Sequence, residues 1–182
     1  MRAVVVYESI YGNTHLVADA IARGLGDDAV VVPVAEATAE LIGSADLLVV
    51  GGPTHVHGMS RASTRRAGIE AAAKDETLDL DADAEGPGLR DWFDAMDDHR
   101  GHAAAAFDTR MHGPVAMTGH ASKGIASRLR HRGFELVGEP TSFLVSKDNH
   151  LDPDEAVSAH AWGASLASVW SRAHTSTAGP RS

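Results

Sequence analysis

No cysteine occurs among the 182 residues, which excludes disulfides, thiolate metal sites, iron–sulfur ligation and a cysteine nucleophile. Any redox role must come from a bound cofactor. Long apolar runs are missing as well. Met1-Arg2 leads into Ala3-Val4-Val5-Val6, too short for a signal-peptide core and far too short to span a bilayer. The expectation is a soluble, cytoplasmic protein with no membrane partner. Basic residues are few, and the formal net charge of −9 argues against a nucleic-acid partner, because counterion release needs a concentrated basic face. The one basic cluster, Arg128, Arg130, His131 and Arg132, reads as a helix end, where cations complement the dipole.

What is present points to one core. A hydrophobic content of 43% over this length suits one buried domain better than two, taken here as residues 1–173 with 174–182 as a flexible tail. Acidic residues crowd one stretch: Asp75, Glu76, Asp79, Asp81, Asp83, Glu85, Asp91, Asp94, Asp97 and Asp98. Such a run reads as a solvated face or mobile loop, with partner docking as the alternative.

Three runs are apolar throughout, without alternation: Ala3 to Tyr7, Leu47 to Val50, and Ala103 to Phe107. Strands buried on both faces of a parallel sheet have this pattern. Ala29 to Val34 and Thr141 to Val145 supply two more. Val17, Ile21 and Leu25, with Ala18 and Ala22, form the stripe of a helix opening at Asn13 or Thr14. Further helices are expected from about Ser122 to the Gly133 stop signal and from Asp152 to Arg172. Between Ser60 and Asp98, Gly86-Pro87-Gly88 separates an Ala-rich, acidic first half from a helix around Leu89, Trp92, Phe93 and Met96. The first half, about 68–88, is read as a surface excursion. The alternation predicts an α/β fold with a doubly wound five-stranded parallel sheet and helices on both faces.

Ligands in such sheets bind beyond the carboxyl ends of the strands, where the winding reverses. After the first strand, Ser9-Ile10-Tyr11-Gly12-Asn13-Thr14 offers hydroxyls, an amide, a glycine and the N–H groups of a helix start, with no lysine or arginine. Backbone donors and the helix dipole can hold a phosphate there. A nucleoside triphosphate loop would need its lysine and a dinucleotide fold its spaced glycines. The bland alternative is a capped helix start with a tight turn.

The run from Val5 to Ile21 resembles the flavodoxin signature: two aliphatics, an aromatic (Tyr7), any residue, Ser9, two free positions, a small residue (Gly12), one free position, Thr14, then Ala and an aliphatic at helical spacing. The resemblance implies a flavodoxin-like three-layer sandwich, strand order 2-1-3-4-5, holding FMN, with Ser9, Ile10, Tyr11, Gly12, Asn13 and Thr14 around the phosphate. Gly51-Gly52-Pro53-Thr54-His55-Val56-His57-Gly58-Met59 is similar to the family's flavin-contacting loop, with Pro53, Thr54, His55 and Gly58 as implied neighbours of the ring. A carbonyl turning at Gly58 would meet a proton newly acquired by the flavin. His55 and His57 as metal ligands is the weaker alternative, lacking a third ligand. The third loop, Asp108-Thr109-Arg110-Met111-His112-Gly113, is implied to approach the pyrimidine edge through Asp108 and Thr109, although Asp108 equally suits capping a turn. No tyrosine or tryptophan lies between Asp108 and Gly119 to stack on the ring, so its outer face is expected to be open or covered by a histidine or a partner chain.

The resemblance implies electron transfer to a redox partner protein or a small-molecule acceptor, with no catalytic side chain and no metal. Negative charge near the ring would lower its reduction potential. An FMN-dependent NAD(P)H:quinone or similar reductase is the alternative, favoured by the open third loop. A flavin-free interaction module is the third reading.

Overall fold

The computed structural model describes residues 1–55, 57–75, 77–114 and 118–175. In chain order the elements are β1 (Ala3–Tyr7), α1 (Asn13–Leu25), β2 (Val30–Pro33), a 3-10 turn (Val34–Glu36), α2 (Ala39–Gly43), β3 (Leu47–His55), β4 (Gly58–Met59), α3 (Ala62–Ala72), α4 (Leu89–Ala95), β5 (Ala103–Met111), α5 (Ala121–His131), β6 (Glu135–Leu136), β7 (Thr141–Val145) and α6 (Pro153–Thr175). His174 and Thr175 thus close α6, and the rest of the expected tail lies outside the described residues. No helix among the described residues is long and apolar enough to cross a membrane.

The sheet runs β2-β1-β3-β5-β6, with β7 also on β5, and each of these pairs is parallel. This is a flavodoxin-like α/β sandwich in the expected order, β5 holding the fourth place. The fifth place is shared. β6 pairs with Ala103 and Ala104, whereas β7 pairs with Phe107 to Met111. Between them Val137 still donates to the Ala104 carbonyl at 2.7 Å, and then Gly138 turns to φ 79. Pro140, which has no N–H, follows. A left-handed residue and a missing donor interrupt the ladder, so the expected strand from Thr141 to Val145 is β7 and β6 is a short addition before it. The remaining extra strand, β4, folds back antiparallel on the end of β3.

Alternate residues of the strands face two cores. Val4, Val6, Leu48, Val50, Ala104 and Ala106 pack with Phe93, Ile125 and Leu129 of α4 and α5. Val5, Val49, Ala105 and Phe107 pack with Val17, Ile21, Ala159 and Leu166 of α1 and α6. Each large aliphatic or aromatic side chain buried this way contributes about 1.5–3 kcal/mol. α3 is different. Gly68 is its only buried residue, and Ala-rich helix propensity, helped by the Arg61 N–H on Thr64 Oγ1 at 2.8 Å, accounts for it better than burial does.

α1 and α6 cross at bare positions. A Cβ on Gly24 would lie 2.0 Å from the His160 carbonyl oxygen, and one on Gly163 would lie 2.2 Å from that of Ile21. Both neighbours are backbone and cannot swing aside. Gly→Ala in a helix otherwise gains about 1 kcal/mol, so the sign is informative. Gly163→Ala is expected to lose about 1–3 kcal/mol through overpacking, read as a lower urea midpoint at unchanged m-value. A midpoint equal to or above wild type would contradict the close crossing.

Candidate functional site

The turn after β1 sets the site. Glu8 N–H donates to the Gly51 carbonyl at 3.0 Å, and its buried carboxylate faces inward, accepting the Leu89 N–H at 2.8 Å and the Ser60 hydroxyl. That anchors the loop to the start of α4. Ser9 Oγ accepts the Gly12 N–H at 3.0 Å, and Gly12, at φ 82, is the N-cap of α1 with no side chain capping the helix. A side chain there would be strained by the backbone, not by crowding. The first turn of a helix carries N–H groups without intrahelical partners, and here they face the carboxyl rim of the sheet. Thr14 Oγ1 pairs with Thr109 Oγ1 at 2.8 Å, and Asn13 Nδ2 donates to the Asn149 carbonyl at 2.9 Å. Tyr11 hydroxyl donates to the Gly68 carbonyl at 2.9 Å, so α3 braces the loop from the other side.

A solvent-open concavity of about 160 Å³ lies at this rim, lined from the first loop by Ser9, Ile10, Tyr11, Asn13 and Thr14, from β3 by Pro53, Thr54 and His55, and from β5 by Thr109. Enclosed cofactor pockets hold roughly 300–1,000 Å³, so a ligand here would remain partly outside. The sequence did not single out Arg110, Met111, Val145 and Asn149, which line it too. Arg110 and Met111 carried a signal only as members of a supposed loop. Val145 and Asn149 carried none, since Asn149 reaches the loop across 136 residues of chain.

Three expected neighbours lie outside this lining. Gly12 forms the turn itself. Gly58 pairs with His55 as β4 turns back, with open space where a side chain would be. Asp108 is fully buried, and its Oδ2 accepts the Ser122 N–H in the first turn of α5 at 2.7 Å, a distant helix start and not a local turn. The run Asp108 to Met111 is strand and not loop, because β7 pairs alongside it. Gly51 and Gly52 are likewise buried in β3; a Cβ on Gly51 would meet the Phe107 ring at 2.0 Å and one on Gly52 would meet Leu89 at 2.6 Å. They serve packing, and only Pro53 onward reaches the rim.

The second and third loops touch. His57, at φ 71, bridges Gly119, and a Cβ on Gly119 would fall 2.3 Å from His57 Cα. Val56 of the second loop lies outside the described residues. No three His, Cys, Asp or Glu side chains that could hold a metal ion come together among the described residues.

Part of the acidic stretch turns inward. Asp81 N–H donates to the Ile10 carbonyl at 2.8 Å, while its Oδ2 lies 3.2 Å from His15 Nδ1. The His15 ring stacks on Tyr7 at 4.4 Å, and Tyr7 hydroxyl donates to Asp83 Oδ2 at 3.3 Å. Burial first, then Asp81 and Asp83, hold the Tyr7 phenol well above its usual value. Glu76 of that stretch lies outside the described residues. Across the concavity, His55 Nε2 and Arg110 Nε are buried without a hydrogen-bond partner among the described residues.

The flavodoxin family model matches residues 5–90. No curated protein matches the chain. Solved structures resemble it along nearly its whole length. A flavodoxin from the domain Archaea is 19% identical at a TM-score of 0.63, covering 94% of this chain and 99% of that one. Oxidised Flavodoxin 1 from Bacillus cereus is 20% identical at 0.63, covering 92% and 98%. A flavodiiron protein from Giardia intestinalis is 18% identical at 0.59, covering 98% of this chain and 38% of its own. At such identities these likenesses establish the fold.

Burial lowers the His55 pKa from 6.5, with the Glu8 carboxylate opposing. The unfolded chain therefore takes up this proton at a higher pH than the folded one, and stability falls as pH drops below the unfolded value of 6.5 until the folded ring also protonates. His99, also lowered from 6.5 by burial, acts in the same window. The readout is thus the difference between wild type and His55→Gln in urea unfolding from about pH 7.5 to 5. The variant should lose less stability on the acid side; identical slopes would mean that folded His55 protonates as freely as unfolded.

Proposed function

We propose that this chain, a flavodoxin-like protein, binds FMN at the carboxyl rim of its sheet and passes electrons to a redox partner protein or a small-molecule acceptor. The observation that carries the reading is the uncapped start of α1 behind the left-handed Gly12, flanked by the hydroxyls of Ser9 and Thr14 and holding no lysine or arginine. Main-chain donors and the helix dipole suit a phosphate monoester. Buried donors left without partners at His55 and Arg110 suit a polar ring system in the same concavity.

When bound, FMN would supply the electron-transfer chemistry, and the chain would bind, orient and tune it. In this reading Ser9, Ile10, Tyr11, Gly12, Asn13 and Thr14 hold the phosphate, while Thr109 buttresses Thr14 from behind. Pro53, Thr54 and His55 form one wall. Gly58, with nothing within 4 Å of its would-be Cβ, lets the main chain turn back beside the wall after the left-handed His57. Asp108 acts at one remove, by holding α5. A reductase is the second reading. It is favoured by the lack of tyrosine or tryptophan between Asp108 and Gly119, which leaves room for a nicotinamide or an acceptor over the ring.

Titration of the purified protein with FMN should show saturable one-to-one binding with quenched flavin fluorescence. Riboflavin, lacking the phosphate, should bind about 100-fold more weakly, and Thr14→Ala should weaken FMN by about tenfold, in line with a lost hydrogen bond to a charged group. Protein that takes up no FMN, or that binds riboflavin equally well, would overturn the reading. Sustained NADPH oxidation with a quinone would then separate the reductase from the carrier.

A further inference from the structure

β5 carries a cation into the concavity. Its register with β7 continues through Thr109↔Phe143, Arg110↔Leu144 and Met111↔Val145, so Arg110 sits on a paired strand and not on a loose loop. One guanidinium nitrogen, Nη1, donates to three neutral acceptors: Thr118 Oγ1 at 3.2 Å, the Gly113 carbonyl at 3.3 Å and the Met111 carbonyl at 3.4 Å. Nε is buried with no hydrogen-bond partner among the described residues. No carboxylate forms an ion pair with Arg110 among the described residues, and none lines the concavity.

The neighbouring acids are engaged elsewhere. Asp108, two residues back on the same strand, accepts the Ser122 N–H at Oδ2, and its Oδ1 forms no ion pair with the guanidinium. Glu8 has both oxygens occupied, by Ser60 and by the Leu89 N–H. Asp81 holds His15. Of the ionisable groups lining the concavity, His55 is held toward its neutral form by burial, leaving Arg110 as the lasting charge. In a chain of formal charge −9, Arg110 thus brings a cation to a concavity that no carboxylate lines. A partly buried, unpaired cation is costly, and a ligand that gains negative charge in place relieves that cost.

We propose that Arg110 is the electrostatic counterpart of the negative charge that bound flavin acquires on reduction. The inference rests on the FMN reading above. Uptake of two electrons and one proton, from a reduced nicotinamide as hydride or, in a test, from dithionite with the proton from water, leaves one negative charge on the ring system. Arg110 favours that state over the neutral oxidised one and so raises the reduction potential. This opposes the effect expected from the acidic stretch: Asp81 and Asp83 lie beside the first loop, on His15 and Tyr7, whereas the guanidinium lines the cleft.

The test compares FMN-loaded wild type, Arg110→Gln and Arg110→Lys. Dissociation constants are measured for oxidised FMN by fluorescence, and those for the dithionite-reduced form follow from the midpoint potential by linkage. Arg110→Gln should weaken the reduced form at least tenfold more than the oxidised form, a fall of about 30 mV in the two-electron midpoint. Arg110→Lys should keep most of the difference, and added salt should narrow the gap between wild type and the Gln variant. Circular dichroism checks the fold, with Arg110→Met as a second neutral variant should the Gln protein be unfolded. Equal weakening of both forms, or none, would overturn the role of Arg110 and leave FMN binding standing. Wild-type protein that binds no FMN at all would overturn the functional reading, and this inference with it.

Discussion

The rim depends on two places where the middle strand has no side chain. Phe107 occupies the space over Gly51 and Leu89 the space over Gly52, so β3 passes between β1 and β5 without forcing them apart. A methyl group at either position would collide with a packed neighbour, at 2.0 Å or 2.6 Å. Because the passage is open, β3 and β5 stay paired through Gly52↔Asp108 and Pro53↔Thr109, beyond the point where β1 turns away at Tyr7. Pro53, Thr54 and His55 are carried up on one strand and Thr109 and Arg110 on the next. They meet a loop whose own position is set by Glu8, clamped between Gly51, Ser60 and Leu89. Elements far apart in sequence reach the first loop only through this packing.

Local patterns reveal the elements whose burial is simple. The all-apolar runs read correctly as strands, and the stripe of Val17, Ile21 and Leu25 as α1, because each buries a regular face. Where burial and polarity part company, the pattern misleads. Asp108 and Thr109 have turn-forming side chains, yet both are buried in a strand, since the carboxylate finds Ser122 and the hydroxyl finds Thr14. Neither partner can be inferred from the residues adjoining them. α3 fails in the opposite way. It is a helix with almost no buried stripe, so hydrophobic periodicity is silent and only propensity speaks for it. The first loop was legible as a turn into a helix start because its residues are contiguous. The cation opposite was not, because its significance lies in a concavity assembled from separate strands.

The acidic excursion shows the same dependence on distant contacts. Read as a run of charges it is a solvated surface, and Asp75 and Asp79 are indeed exposed. Asp81 and Asp83 instead face the first loop, one hydrogen-bonded to His15 and the other to Tyr7. An anion at a helix start is stabilised by the dipole, which makes Asp81 tolerable there, and its backbone N–H engages the Ile10 carbonyl. The excursion thus stiffens the loop against which a phosphate would bind, at the cost of placing negative charge close to it.

Strain and unmet polarity gather at this one rim. The buried side-chain polar atoms lacking partners among the described residues are His55 Nε2, Asp108 Oδ1 and Arg110 Nε, carried by neighbouring strands at their carboxyl ends. His57, a non-glycine residue at φ 71, lies just beyond. An unsatisfied buried donor or acceptor costs about 1–3 kcal/mol and a left-handed non-glycine residue a similar amount. The two apolar cores show no such defects among the described residues, so poor packing in general does not account for them. Among the described residues the unpartnered side-chain atoms gather at the carboxyl ends of β3 and β5, with His55 and Arg110 lining the concavity and Asp108 outside it, so local and global preferences conflict there. The group that resolves the conflict must bring acceptors for the Arg110 guanidinium and a hydrogen-bonding partner for His55, and it must fit beside a helix start suited to an anion.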